Sequence, residues 1–154
     1  MNFTSEELFE LVQAVWGNAL ALSVAPAPAD RSVAESQPIA ASIRILGSWN
    51  GAVLLECTAE LTRWAAAILF EMPPEQVTDA EMQDAVVELV NLIADQLADD
   101  LPTGCRLLLP ARVENSGWAG LVGDWPVGRS AFCCRGQQAS LAIVEEIRPR
   151  AIAA

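Results

Sequence analysis

The 154 residues include nine basic and twenty acidic side chains, a formal net charge of −11, with 53% hydrophobic and 19% charged positions. This length fits one domain, residues 1–154, and the apolar content suits a folded globule, not a disordered chain. Phosphate backbones and anionic lipid surfaces repel so acidic a chain, so neither nucleic acid nor membrane is an expected partner.

No apolar stretch reaches the roughly 18 residues a membrane span needs. The N-terminus carries Glu6 and Glu7 where a signal peptide carries Lys or Arg, so a cytoplasmic location is expected. Cys57, Cys105, Cys133 and Cys134 form no C-x-x-C pair, and the chain has no histidine. Zinc and a Cys–His nucleophile are therefore poorly supported, and buried reduced thiols are the expected state. The missing histidine also removes the usual general base at neutral pH.

In chain order, Thr4 to Trp16 reads as a first helix. Thr4 or Ser5 caps it, Leu8, Leu11, Val12 and Val15 form its apolar stripe, and Gly17 is a natural stop. A short strand is expected from about Leu20 to Val24. The proline-rich loop Ala25 to Asp30 follows, then a polar stretch through Gln37. Ile39 to Leu46 and Ala52 to Cys57 read as an antiparallel hairpin around Gly47 to Gly51, with Asn50-Gly51 as the turn signal. Thr58 can cap a helix to Phe70 with Leu61, Ala65, Ile68 and Leu69 inward, and Pro73-Pro74 ends it.

A long helix is predicted next, from Asp79 to about Asp100, capped by Thr78 with Glu81 completing a capping box. Beyond it, Arg106 to Glu114 alternates like a strand and Asn115 to Gly128 reads as a loop. Arg129 to Arg135 and Ala139 to Glu146 make a final hairpin about Gly136-Gln137. The expected fold class is an α/β (α+β) sandwich. It has about three helices, one of them long, on a largely antiparallel sheet of about six strands.

The long helix carries the informative pattern. At 100° per residue, Asp84, Glu88, Asn91 and Asp95 fall within a band about 60° wide. Met82, Val86, Leu89, Val90, Ile93 and Leu97 gather opposite. Val87 flanks the polar band on one side, and Leu92 with Ala85 flanks it on the other. A polar strip between apolar shoulders has the composition of a docking surface with a polar centre. The bland alternative is the solvated face of a core helix. Against it stand Asn91, a poor interior helix residue, and the lack of any lysine to pair with Glu88.

Asp84-x-x-x-Glu88-x-x-Asn91, followed by Leu92-Ile93-Ala94, resembles the signature of the CheX/CheC chemotaxis phosphatase domains. The similarity extends loosely from about Ile39 to Glu146, through Gly51-Ala52-Val53-Leu54-Leu55 and Leu109-Pro110-Ala111-Arg112-Val113. A single motif makes the chain similar to CheX, since CheC carries two. The family often has glycine where this chain has Asp95.

The resemblance implies a phosphatase acting on the aspartyl-phosphate of a CheY-like response-regulator receiver domain. Asn91 would position the attacking water and Glu88 would pair with the receiver's lysine. Asp84, Val87, Leu92 and Asp95 would contribute to docking. No metal or cofactor is expected in this chain, and Mg2+ would sit on the receiver. The alternative is a non-catalytic module that binds a receiver or dimerises, drawing on the Trp49 turn, the Trp118–Trp125 loop and exposed sheet edges. Edge strands would allow a homodimer with a continuous sheet. A small-metabolite enzyme has little support, because no phosphate loop, Ser-His-Asp set or metal cluster is present.

Overall fold

The structure, a computed structural model, describes residues 2–27, 38–113 and 125–146. Helix α1 spans Ser5–Val15, and Thr4 caps it in a capping box with Glu7. Gly17 does not stop it. The chain continues as a π turn over Trp16–Leu20, and the left-handed Ala21, with φ of 55°, closes it. Helical spacing carried through Val12, Trp16 and Leu20 explains the continuation, since all three side chains are buried in the core. The strand expected at Leu20–Val24 is therefore absent. Pairing begins later, at Ala25–Pro26 (β1), within the stretch that reads as a loop.

Strands β2 (Ile39–Leu46) and β3 (Gly51–Cys57) form the expected antiparallel hairpin. Gly47, at φ 138°, supplies the left-handed step of the turn, and its N–H donates to the Asn50 side chain at 2.9 Å. Gly51 already belongs to β3, and a side chain there would collide with the Val144 carbonyl and the Trp49 ring. Helix α2 (Ala59–Leu69) is capped by Thr58, and helix α3 (Asp79–Leu97) by the Thr78–Glu81 capping box. In α2, Leu61 and Ala65 are buried as expected, whereas Ile68 is 39% exposed.

The region read as one strand is two, β4 (Arg106–Leu107) and β5 (Ala111–Val113), both paired with the outer edge of β2. Pro110 lacks an N–H for the ladder, and Leu109 between the two pieces is 88% exposed. The final hairpin joins β6 (Trp125–Cys134) to β7 (Gln137–Glu145). Arg135 and Gly136 both have positive φ there, the geometry of a tight two-residue hairpin turn. Trp118 and most of the preceding loop lie outside the described residues.

The seven strands among the described residues belong to one antiparallel sheet, in the order β1-β6-β7-β3-β2-β4 with β5 also on β2. The three α-helices of the described residues pack on one face: α1 against β6, α3 over β2 and β3, and α2 beside α3. The expected helix-on-sheet class is what the chain adopts, with seven strands among the described residues where about six were expected. Trp16 meets Phe132 edge to face at 5.2 Å, tying the π turn to β6.

The opposite face of the central strands is buried too, and it holds a carboxylate. Val53, Leu55 and Cys57 face the helices, so Glu56 points away from them, and it is 6% exposed. Burial raises its pKa above the ordinary carboxylate value, and Arg129 only partly opposes this. The folded state thus holds the Glu56 proton more tightly than the unfolded chain does. Stability should fall as pH rises from the ordinary value through the raised one. Glu56→Gln should flatten that decline and stabilise the fold at pH 7 by on the order of 1 kcal/mol, read from urea unfolding at several pH values.

Candidate functional site

The site is built on α3, whose position is fixed from three sides. Met82, Ala85, Val86, Leu89, Val90, Ile93, Ala94 and Leu97 are buried, so one face of the helix is locked onto the sheet and its neighbours. Every position expected on the core face is there. Ala85, expected on a shoulder of the polar strip, is instead fully buried. A methyl group is short enough to tuck beneath a shoulder that a longer side chain would cover.

The opposite face carries the strip. Asp84, Glu88 and Asp95 are exposed, Asn91 is partly exposed, and Val87 and Leu92 are half-buried beside them. Glu88 and Asn91 are three residues apart and share a helix face. Among the described residues, neither side chain is engaged by a hydrogen bond or ion pair. The carboxylate and amide are therefore held by the backbone of a buried helix while their polar atoms stay uncommitted. No group of three or more His, Cys, Asp or Glu among the described residues is placed to hold a metal ion. No described helix is long and apolar enough to cross a membrane.

Beside the strip lies a groove of about 560 Å³, with Leu92, Asp95, Gln96 and Asp99 on one wall and Val15, Asn18 and Ala19 on the other. It brings together two of the expected docking residues, Leu92 and Asp95, while Asp84 and Val87 lie outside it. The second wall was not legible from the residues, because reading Gly17 as a stop removed the π turn that builds it. The i, i+4 row Val12–Trp16–Leu20 was the available signal.

The fold and this face define a protein with one layer of helices on an antiparallel sheet, presenting a carboxylate–amide pair from its longest helix. Residues 39–121 match the family described as "Chemotaxis phosphatase CheX", and the chain belongs to that family. Solved structures agree on the fold. CheX from Vibrio vulnificus superposes with a TM-score of 0.68 at 15% identity, covering 90% of this chain and 93% of that one. The chain matched in the CheX–CheY–BeF3–Mg2+ complex from Borrelia burgdorferi gives 0.68 at 14%, covering 92% and 96%. CheX from Desulfovibrio desulfuricans gives 0.67 at 13%, covering 92% and 98%. No curated protein matches the sequence significantly.

Proposed function

We propose that this chain hydrolyses the aspartyl-phosphate of a CheY-like response-regulator receiver domain, with Asn91 positioning the water and Glu88 pairing with the receiver's lysine. One observation carries the reading. The two polar groups project from one face of α3, open to solvent and uncommitted within the described chain. Membership of a chemotaxis phosphatase family supports it, as does the likeness to a CheX chain solved together with CheY.

An acyl phosphate is already activated, so hydrolysis chiefly needs a water in line with phosphorus. The water oxygen forms the new P–O bond as the bond from phosphorus to the acyl oxygen breaks. The electron pair leaves on the receiver's aspartate carboxylate, and the water's protons pass to the phosphate and solvent. An amide cannot act as a base, but it can donate to and accept from that water and hold it in place. The reaction thus runs without the histidine this chain lacks. Mg2+ on the receiver would neutralise the phosphoryl charge, and the proposal places the whole reaction in the cytoplasm.

The test is phosphate release from phosphorylated receivers with and without the protein. Faster decay on one of them supports hydrolysis. Binding with no faster decay on any of them makes the chain a receiver-binding module instead. Glu88→Ala should act on docking: a charge-assisted contact contributes about 1.5–3 kcal/mol, so KM should rise by about 10- to 100-fold. Steady-state kinetics over a range of receiver concentrations would show it.

A further inference from the structure

We propose that the groove between the π turn and the C-terminal half of α3 receives a receiver segment carrying a long cationic side chain, and that Asp95 and Asp99 select for it. The inference rests on the proposed reaction and names a second point of contact for the same partner.

The groove is amphipathic in a particular way. Val15, Ala19 and Leu92 give it apolar walls, Asn18 and Gln96 give amide groups, and Asp95 and Asp99 give two carboxylates. Asp95 lies in the last turns of α3 and Asp99 in the 3-10 turn Ala98–Asp100 that follows it, and both line the groove. An aliphatic stem ending in a cationic head matches this lining, with methylenes against the walls and the charge between the carboxylates. At about 560 Å³ the space accommodates a short segment as well as one side chain.

Among the described residues, no cation lines the groove. Neither α1 nor α3 contains Lys or Arg. The ion pairs among the described residues, Arg44–Glu146 and Arg63–Glu60, involve neither aspartate. Within the described residues the two carboxylates are left without a cationic partner, the charge pattern a cationic segment of another protein would complement. Asp95 lies one turn beyond Asn91, so the groove continues the face that would meet the phosphorylated pocket.

The experiment measures steady-state hydrolysis of the phosphorylated receiver that responds best, using Asp95→Asn, Asp99→Asn and the double variant, with Asn91→Ala alongside. The double variant should raise KM about tenfold at low ionic strength and flatten the rise of KM with salt, the effect falling on KM and not on kcat. Ala19→Leu, which fills the groove from the other wall without changing charge, should also raise KM. A double variant with wild-type KM and salt dependence, while Asn91→Ala is inactive, overturns the groove and leaves the proposed reaction standing. An Ala19→Leu protein with wild-type KM overturns it equally, whatever the folding of the aspartate variants. If no receiver is dephosphorylated by the wild-type protein, the reaction fails and the groove's assigned occupant falls with it.

Discussion

Asn91→Ala should lose stimulated phosphate release by about 10²- to 10³-fold, the size seen when one preorganised hydrogen-bonding group is removed from a reacting centre. The effect should fall on kcat. Asn91 is only partly exposed and offers little area for docking, whereas Glu88 beside it is exposed. The fold should be untouched, because no described partner loses a hydrogen bond when the amide goes. Single-turnover decay at saturating protein separates the outcomes: a variant that binds but does not accelerate decay fits, and one that hydrolyses at the wild-type rate refutes the role. Asn91→Asp is a useful companion. It keeps the size and removes the amide's donor, while adding negative charge opposite a phosphoryl group, so it should rescue nothing.

Trp16→Ala should be the most damaging change to stability, costing about 3–5 kcal/mol in urea unfolding. Trp16 is fully buried and is among the largest side chains of the core. It closes the end of α1, packs edge to face on Phe132 of β6, and leads the turn that forms one wall of the groove. Removing it opens a cavity where helix, turn and sheet meet. A marginally stable domain has on the order of 5–15 kcal/mol to lose, so a fraction of the variant should be unfolded at ambient temperature. An unfolding midpoint within a few tenths of a molar of wild type would show that this junction does not hold the fold.

The two variants probe links of different legibility. The long helix was readable from the residues because three independent cues coincide over Thr78–Leu97. These are the capping box, an uninterrupted apolar period and a polar strip that breaks composition at Asn91. Each is local, and the structure meets each of them. The hairpins were readable for the same reason. Residues that change state through distant partners were harder. Gly17 carries a strong local stop signal, yet burial of Trp16 and Leu20 outweighs it. Ala25 and Pro26 have loop composition, yet the edge of β6 recruits them, and Ala27 adds an N–H bond to the Ala131 carbonyl. Ile68 has the helical spacing of a core residue but points where no neighbour covers it fully. The site followed the same division. Glu88 and Asn91 were visible from spacing on one helix, whereas the groove needs two segments some seventy residues apart in sequence.

The helical layer also constrains how copies of this chain can meet. Glu6, Glu7 and Glu10 on α1 and Asp79, Glu81, Asp84, Glu88 and Asp95 on α3 have no positive side chain interspersed on either helix. Two such faces brought together repel one another across their whole width, most strongly in dilute buffer. Contact between two copies through this layer is thereby disfavoured, and a surface of the opposite charge is what it suits.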